Sequence, residues 1–359
     1  MPEQVRVLIV AASLDILGGQ AVQAERLVRH LQSEASLHVA FLPINPRLPS
    51  FLRKLQSIKY VRTVTTSILY VLNLLLEVRN YDVIHIFSAS YLSFLIAPTP
   101  AILVSKLYRK KILLNYHSGE AEDHLRRWSR TTIPILGLVD KVVVPSEYLV
   151  RVFAKFGIDA CAIFNIIDLD RFEFRKRTPL RPVFLSNRNL EEHYGVDCVL
   201  RAFAHIQQQI PDAVLTVVGD GSQRNEIENL ASELHLQRTK FTHRVEHAEI
   251  DRYYYASDIY LNGSKIDNQP LSILEAFACG LAVVTTDAGG IPDIVTDEFT
   301  GFLVPVGDFK LLAARALQLL TDPKMAASMT ERARDEVSQY TWPVVCPQWL
   351  NLYHSVAKK

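Results

Sequence analysis

Apolar and polar positions alternate along this chain in two patterns. Short continuous apolar runs, such as VRVLIVA at 5–11, are typical of parallel strands buried on both faces. Between these runs, apolar residues recur at helical spacing, as in Ala24, Leu27, Val28 and Leu31, and form the stripe of a helix packed on a sheet. Such alternation predicts a doubly wound α/β lobe. Its strands are predicted at 5–11, 37–42, 83–87, 112–116, 142–144 and 162–164.

The pattern restarts after a polar, basic segment with two prolines, RFEFRKRTPLRP at 171–182, which predicts an interdomain linker. Two successive lobes of this kind place a ligand at the carboxyl ends of the strands, in the cleft between the lobes. The strands of the second lobe are predicted at 183–186, 214–218, 240–242, 259–261 and 281–285.

Two longer apolar stretches, 64–76 and 91–104, raise the question of a membrane span. Both are shorter than the roughly 20 residues that a span requires, and the second contains Pro98 and Pro100. We therefore predict buried core helices. The run at 5–11 is too short for a signal peptide, so none is expected.

Composition and charge narrow the class of protein. Of 359 residues, 49% are hydrophobic and 21% are charged, as in an ordinary globular protein, and the net charge of +1 argues against nucleic acid as a partner. Residues 1–178 hold 23 Lys and Arg against 15 Asp and Glu, a balance of +8, so the remainder carries −7. The first lobe is thus expected to face something anionic. The four cysteines form no CxxC pair, which predicts reduced core thiols.

The stretch DNQPLSILEAFACG, 267–280, combines two acids with an apolar helix. Pro270 suits a first helical turn, with Asn268 or Gln269 as its cap. A helix that is apolar nearly all round is buried, so Glu275 needs hydrogen-bond donors. Ligand hydroxyls would serve, and the alternative is a structural glutamate bonded to neighbouring backbone. Asp267 would lie beside the helix N-terminus, whose free N–H groups suit a diphosphate.

Other strand-to-helix turns carry weaker signals. Gly18 and Gly19 would let backbone N–H groups approach an anion, although a plain tight turn explains them equally. Arg188 follows a predicted strand and could bind phosphate, the alternative being a surface pair with Glu191 or Glu192.

Two further turns contain glycines. GDGSQ at 219–223 lacks the third glycine of a dinucleotide fingerprint, which argues against a nicotinamide site. The double glycine at 289–290 precedes Asp293, and turn chemistry alone would explain it.

As an ordered set, these motifs resemble the retaining GT-B glycosyltransferases, specifically the nucleotide-sugar-dependent family 4. The most specific part is the pair of acids separated by seven residues and continued by EAFACG, and the resemblance covers nearly the whole chain. It implies an α/β fold of GT-B type, with two Rossmann-like βαβ domains facing across a cleft. The motifs are LGGQ, VDKVVVPSEYL, FNIIDLDRF, SNR, VVGDG, SKIDNQPLSILEAFACG, DAGGIPDIV and YTWPVVCPQWLNLYHSV.

The resemblance also implies domain and residue roles. Residues 1–175 would bind the acceptor, 176–340 the nucleotide sugar, and a helix at 341–359 would return to the first domain. Glu275 would hold the donor ribose and Asp267 the transferred sugar, with His117 near the reacting centre and Arg188 on the diphosphate. His85, in mid-strand, is expected to be a core histidine. Further donor-side residues are Gly18, Gly19, Tyr194, Gly219, Asn268, Gln269, Leu271 and Ser272, and the acceptor side includes Gly289 and Gly290.

Three positions depart from the family pattern. Asp267 and Asp293 each stand where glutamate is usual, and Tyr194 stands where a lysine usually provides a second phosphate contact. The tyrosine removes a cation from the expected diphosphate site.

The function implied is transfer of a sugar from a nucleoside diphosphate sugar to a hydroxyl of a glycan or lipid-linked acceptor, in surface polysaccharide or glycolipid synthesis. No cofactor and no metal are expected, because a helix dipole and an arginine can carry the leaving-group charge. The alternatives are a nucleotide-sugar epimerase or sugar phosphorylase of the same architecture, and a non-catalytic GT-B scaffold.

A basic segment suggests where the protein acts. Residues 35–76 contain no acid but five Lys and Arg interleaved with apolar residues, which suits an interfacial helix on an anionic membrane. We expect a cytoplasmic protein that contacts the inner face of the membrane peripherally. The alternative is a solvated basic face over core packing.

Overall fold

The computed structural model describes residues 4–15, 19–47 and 59–358. They form two compact units, one of Met1–Ile166 with Trp342–Lys359 and one of Ile167–Thr341. Each unit contains a six-stranded parallel sheet with helices packed against it. This confirms the predicted fold class of two successive α/β lobes.

The strands of unit 1 run in the order β2-β1-β3-β4-β5-β6. They are β1 (Val5–Ala11), β2 (Leu37–Pro43), β3 (Val83–Ser88), β4 (Lys111–Tyr116), β5 (Lys141–Val144) and β6 (Ala160–Ala162). The helices between them are α1 (Gly19–Leu31), α2 (Lys59–Glu77), α3 (Tyr91–Ile96), α4 (Pro98–Leu107), α5 (Ala121–Arg127), α6 (Ser129–Leu136) and α7 (Glu147–Ala154).

Strand β1 shows why its sequence is continuously apolar. It lies between β2 and β3, with Val7 opposite Val39 on one side and Val83 on the other. Because successive side chains point to opposite faces of the sheet, Leu8 enters the hydrophobic core on one face and Ile9 the core on the other. Both faces are covered, so neither can be polar.

Unit 2 has the strand order β12-β11-β10-β7-β8-β9. Its strands are β7 (Val183–Asn187), β8 (Val214–Val218), β9 (Thr239–Phe241), β10 (Ile259–Asn262), β11 (Ala282–Thr286) and β12 (Phe302–Val304). Its helices are α8 (Val196–Gln209), α9 (Arg224–Glu233), α10 (Asp251–Ala256), α11 (Leu271–Cys279), α12 (Phe309–Thr321) and α13 (Pro323–Val337). The three-residue edge strand β12, which pairs with β11, was not predicted.

The last helix, α14 (Trp342–Ala357), belongs to unit 1. Its Trp349 and Tyr353 are buried in the same core as Ile9. The Tyr353 hydroxyl lies 2.7 Å from Nδ1 of His85, which is fully buried, so His85 is the core histidine that was predicted. A return of the final helix to the first domain is therefore confirmed.

The prediction of an interdomain linker at 171–182 is wrong. Unit 2 begins at Ile167, before this segment. Three arginines of the segment, Arg175, Arg177 and Arg181, form ion pairs with Asp258, whose side chain is only 2% exposed. A buried carboxylate requires such partners, and the basic cluster is therefore built into unit 2.

The prediction of buried core helices at 64–76 and 91–104 is wrong for one face of each. In α2, Tyr70 and Leu74 are buried, whereas Leu72 is 51% exposed. In α4, Ile102 is buried and Leu103 is 49% exposed. Within the described residues, one helical stretch, Val61–Asn80, is long and apolar enough to cross a membrane, and 17% of its window is buried.

Candidate active site

The candidate site lies at the topological switch point of the unit 2 sheet. Strand β7 has β8 on one side and β10 on the other, so the connections that leave β7 and β10 diverge. Ligands of open α/β sheets bind in the crevice that opens at the carboxyl ends of such strands. Arg188 directly follows β7, and Asp267 lies in the loop after β10.

Two glycines bring the turns of this crevice together. Gly219 has a φ of 136°, and a Cβ there would lie 2.1 Å from the carbonyl oxygen of Arg188. Gly289 has a φ of 56°, and a Cβ there would lie 2.1 Å from the carbonyl oxygen of Asp267. The N–H of Gly290 donates to that same oxygen at 3.0 Å. These glycines therefore fix the backbones that carry the two charged residues, since only glycine leaves room for such contacts.

Arg188 has a side chain that is 10% exposed and pairs with Asp267. One of its terminal nitrogens, Nη1, donates to Oγ of Ser272 at 3.2 Å. Burial opposes its charge, but the Asp267 carboxylate and the surrounding tyrosines raise the pKa, so the guanidinium stays charged. The alternative of a surface pair with Glu191 or Glu192 is wrong, because the arginine is largely buried and its ion-pair partner is Asp267.

Tyr194 contacts Arg188 through its ring. The guanidinium carbon lies 4.0 Å from the ring centroid, within the range of a cation–π interaction. Tyr194 ends a short 3-10 turn, Glu192–Tyr194, and Gly195 follows it in the left-handed conformation. The residue that departs from the family pattern thus stacks on the arginine, a contact that sequence reasoning did not foresee.

Asp267 has polar neighbours besides the arginine. Its Oδ2 accepts from Oγ of Ser264 at 3.2 Å, and its Oδ1 accepts from the backbone N–H of Asn268 at 3.0 Å. Meanwhile Nε of Arg188 is buried and has no hydrogen-bond partner among the described residues. A buried donor without a partner calls for an explanation, and an anionic ligand oxygen at this position would supply one.

Helix α11 directs its N-terminus at this cluster. It begins at Leu271, and Pro270 occupies the N-cap position without a side-chain capping bond of its own. Asn268 and Gln269, the predicted caps, are buried beside the helix start, at 5% and 4% exposure, and their capping role stays a prediction. A helix N-terminus presents N–H groups and a positive dipole end to an anion.

Glu275 is 3% exposed on α11, with the predicted apolar surroundings. Its Oε2 accepts a hydrogen bond from the hydroxyl of Tyr254 at 2.8 Å. That hydroxyl in turn accepts from Nδ2 of Asn187, also at 2.8 Å. Burial, followed by the nearby Glu275 charge, raises the pKa of Tyr254 far above its usual range, so the phenol remains a donor. The carboxylate thus has a side-chain donor.

Sequence reasoning missed Tyr254 and Asn187. Tyr254 is the second of three consecutive tyrosines in DRYYYAS. Of these, Tyr254 is fully buried, whereas Tyr255 is 51% exposed. The short helix α10 spans six residues, too few for a periodic pattern to distinguish the three.

The remaining predicted residues belong to unit 1. Gly18 lies outside the described residues, and Gly19 begins α1. The backbone N–H of His117, directly after β4, donates to the carbonyl of Ser88 at 3.0 Å. Its ring stacks on Phe87 with centroids 5.0 Å apart. Burial lowers the pKa of His117 to about 3, so its imidazole is neutral. Its role near the reacting centre stays a prediction.

In the described part of the chain, no group of three or more His, Cys, Asp or Glu could hold a metal ion. Cys198, Cys279 and Cys346 are buried, Cys161 is half-buried, and all four are free thiols, as predicted. Burial raises the pKa of the Cys198 thiol to about 11, which keeps it protonated and unreactive.

Two family profiles match nearly the whole chain between them. The profile described as Glycosyltransferase Family 4 matches residues 17–171, and that of Glycosyl transferases group 1 matches residues 170–336. The chain belongs to the GT-B glycosyltransferases of family 4. The resemblance inferred from the motifs is thereby confirmed.

The names of curated relatives of this glycosyltransferase indicate a variety of substrates. A GDP-mannose-dependent alpha-(1-6)-phosphatidylinositol monomannoside mannosyltransferase of Mycolicibacterium smegmatis is 29% identical, over 65% of this chain and 68% of its own. The sulfoquinovosyl transferase SQD2 of Arabidopsis thaliana is 25% identical over 77% of this chain, and N-acetyl-alpha-D-glucosaminyl L-malate synthase of Bacillus anthracis is 31% identical over 56%. The match spans only 57% and 55% of the length of these last two relatives.

Solved structures establish the GT-B fold. The Anabaena protein Alr3699/HepE, in complex with UDP and glucose, superposes with a TM-score of 0.76 at 18% identity and covers 98% of this chain and 100% of its own. Sucrose-phosphate synthase of Thermosynechococcus elongatus gives a TM-score of 0.73 at 20% identity, with 98% and 99% covered.

Proposed function

We propose that this glycosyltransferase moves a sugar from a nucleoside diphosphate sugar to a hydroxyl and retains the anomeric configuration. The carrying observation is the buried Arg188–Asp267 pair at the start of α11, with Nε of Arg188 lacking a partner among the described residues. A nucleoside diphosphate sugar offers this cluster both an anion and hydroxyl groups.

The donor diphosphate would lie between Arg188 and the N-terminus of α11. Negative charge grows on the diphosphate as the glycosidic bond breaks, and preorganised donors at that position stabilise the transition state more than the ground state. Tyr194 would hold the guanidinium from its other side. The leaving-group charge would then need neither a metal ion nor a cofactor.

The two acids would bind hydroxyl groups. Glu275 would accept from the donor ribose while Tyr254 donates to its Oε2. Asp267 would release part of its pairing with Arg188 and accept from the transferred sugar. An ion pair that the donor opens lets the protein hold both charges in a buried site before the donor arrives.

The acceptor is proposed to be a hydroxyl of a glycan or of a lipid-linked glycan, in surface polysaccharide or glycolipid synthesis, with the enzyme at the inner face of the membrane. Support comes from the relatives whose names include phosphatidylinositol mannosides. A glycosyltransferase with such an acceptor must reach it at a lipid surface.

Titration calorimetry with UDP-, GDP- and ADP-sugars tests the donor site. We expect one base to be preferred, and Arg188→Ala to weaken binding of that donor and lower kcat by about 100-fold or more. Arg252→Ala is the matched control, because Arg252 also stacks on a tyrosine, Tyr253 at 4.9 Å, but is exposed. If no nucleotide sugar binds, or if both variants behave alike, the assignment is wrong.

The product distinguishes the reaction from its rivals. With an acceptor present, proton NMR of the new glycosidic bond should show the anomeric configuration of the donor. An epimerase would convert the donor sugar without an acceptor, and a scaffold would bind the nucleotide without turnover. Either outcome would replace the proposed transfer.

A further inference from the structure

Helices α2 and α4 of unit 1 pack against each other, and both expose aliphatic side chains. On α2, the four residues Val64, Ile68, Leu72 and Leu76 recur every fourth position and are 51–59% exposed. On α4, Leu103 and Leu107 are 49% and 71% exposed. We call these six residues the aliphatic face. With a rise of 1.5 Å per residue, its α2 part is about 18 Å long.

The opposite side of α2 is fixed to the rest of unit 1. Tyr70 and Leu74 are buried in its core. The Tyr70 hydroxyl donates to the carbonyl of Ala97 at 2.9 Å, and the Tyr108 hydroxyl donates to the carbonyl of Leu75 at 3.0 Å. For α2 to cross a membrane, these residues would have to leave the core. Its length and hydropathy therefore indicate a helix that lies on an apolar medium, not one that spans it.

Charge around the aliphatic face is mainly positive, although Glu77, next to Leu76 in sequence, is exposed at the end of α2. The sequence contains no acidic residue at 61–76 or at 83–119. Arg62, Lys106 and Arg109 are exposed on or next to the two helices. Unit 1 as a whole holds 21 Lys and Arg against 12 Asp and Glu, a net charge of +9, whereas unit 2 carries −8.

The composition of the face favours lipid over a protein partner. Protein interfaces are enriched in tyrosine, tryptophan and arginine at their centres, and depend on shape complementarity. The six side chains of the aliphatic face are all Val, Ile or Leu. Acyl chains demand only apolar surface, and anionic headgroups complement the cations beside it.

We propose that the aliphatic face docks unit 1 on an anionic lipid surface, with α2 lying in the plane of the interface. The apolar side chains enter the boundary between headgroups and acyl chains, and the neighbouring cations contact the headgroups. This inference rests on the membrane location in the proposed function and names the surface that makes the contact, but it does not depend on the transfer reaction. It also differs from the basic segment predicted from the sequence, because aliphatic side chains at 64–76 and 103–107 carry it.

Vesicle co-sedimentation of the full chain tests the docking. Two kinds of vesicle serve as probes. One consists of phosphatidylcholine alone, and in the other about a third of the lipid is phosphatidylglycerol, which makes the surface anionic. We expect at least 10-fold tighter binding to the anionic vesicles, a ratio that falls with added salt. Equal binding to both vesicle types, or none to either, would overturn the proposal.

Two double variants locate the contact. Ile68→Ser with Leu72→Ser should weaken vesicle binding at least 10-fold. Val306→Ser with Val344→Ser is the control, because these valines are 45% and 49% exposed but lie outside α2 and α4, and it should bind as the wild type does. Similar losses in both double variants would show that exposed apolar surface in general, not this face, mediates the binding.

A charge variant and a size measurement complete the test. Arg62→Glu with Lys106→Glu should abolish the preference for anionic lipid while thermal unfolding stays unchanged, since both residues are exposed. Light scattering without lipid addresses a second copy as the occupant. A dimer that Ile68→Ser with Leu72→Ser dissociates would assign the face to self-association and overturn the lipid assignment.

Discussion

Helices α11 and α2 are both strongly apolar, yet the protein uses them in opposite ways. In α11, every residue from Ser272 to Cys279 is buried. In α2, Tyr70 and Leu74 are buried, while the side chains of Val64, Ile68, Leu72 and Leu76 are more than half exposed. Hydrophobicity shows that a segment needs an apolar environment, but not whether the protein itself provides it. Helix α11 packs against β11, α10 and α13, whereas the main contacts of α2 among the described residues are with α4, β2 and the short 3-10 turn that follows it.

The polar residues within these two apolar helices also differ between the buried helix and the exposed one. Helix α11 holds Glu275 in its interior, with Tyr254 as a donor. Helix α2 contains hydroxyl residues such as Thr65, whose Oγ1 donates to the carbonyl of Val61 at 2.7 Å, and no acid before its final residue, Glu77. Glu275 lies on the helix whose N-terminus forms the proposed donor site, and the outward face of α2 has no acid before Glu77, as the proposed contact with an anionic surface requires.

The largest effect is expected at the charge inside α11. Glu275→Ala should lower kcat/KM by about 100-fold or more, the scale of losing one preorganised polar contact in a catalytic site. Glu77→Ala, at the exposed end of α2, is the matched control and should leave kcat/KM unchanged. Steady-state kinetics and donor calorimetry measure both. If Glu275→Ala lowered the melting temperature but kept donor affinity, the glutamate would be structural. The proposed functional difference between α11 and α2 would then be wrong.

The second effect is a difference in how much a leucine of each helix contributes to the free energy of unfolding. Leu274→Ala removes a fully buried side chain and should cost about 2–5 kcal/mol of unfolding free energy. Leu72→Ala makes the same chemical change on the aliphatic face and should cost no more than about 0.5 kcal/mol. Urea unfolding with matched slopes measures both values. Equal costs would mean that α2 is buried in solution.

A smaller effect is expected beside the N-terminus of α11. Tyr194→Leu removes the ring that stacks on Arg188 and should lower kcat by about 5- to 30-fold, since a desolvated cation–π contact contributes about 1–2 kcal/mol. Tyr194→Phe keeps the ring and should cost no more than about 3-fold. The ratio of the kcat values of the two variants distinguishes the contribution of the tyrosine ring from that of its hydroxyl. A Phe variant as impaired as the Leu variant would assign the role to the hydroxyl.

The mildest effect comes from pH and concerns unit 1. Burial lowers the pKa to about 3 for His85 and His117 and to about 4 for His124. Their neutral forms stabilise the fold above the unfolded pKa of about 6.5, and this stability is lost as the pH falls toward the folded values. The melting temperature should therefore fall by a few degrees between about pH 6.5 and 5.

Tryptophan fluorescence reports this acid effect from unit 1 alone. The three tryptophans of the chain, Trp128, Trp342 and Trp349, all lie in that unit. Trp128 contacts His124, and Trp349 contacts His85 at 4.9 Å between centroids. His85→Phe should reduce the pH dependence. An unchanged melting temperature from pH 7 to pH 5 would contradict the assigned protonation states.

Much of the fold could be predicted because parallel strands buried on both faces have an unmistakable pattern. Strand β1 was predicted with its observed ends, while β6 was placed two residues late and β12 was missed, since both are three residues long at sheet edges. The exposed face of α2 could not be predicted, because apolar spacing is compatible with burial and with lipid contact alike. The segment at 171–182 resembled a linker because its partner, Asp258, lies far away in sequence.

The site was predictable only in part. Arg188 and Asp267 follow strands, so strand ends alone could place them at one edge of the sheet. The bond between Tyr254 and Glu275 joins two helices, and the stacking of Tyr194 on Arg188 depends on a turn conformation. Neither contact has a local signature. The roles assigned to His117, Gly289 and Gly290 stay predictions.

The C-terminal helix has a consequence for how the protein is made. Unit 2 is encoded by one continuous segment, Ile167–Thr341, whereas the core of unit 1 includes Trp349 and Tyr353 from α14. During synthesis, domains generally fold as their sequence emerges from the ribosome. Unit 2 can therefore complete its core first, although it comes second in the sequence. The nascent unit 1 exposes the groove for α14 until residues 342–357 have been translated, so chaperones have a defined surface and a defined interval in which to act.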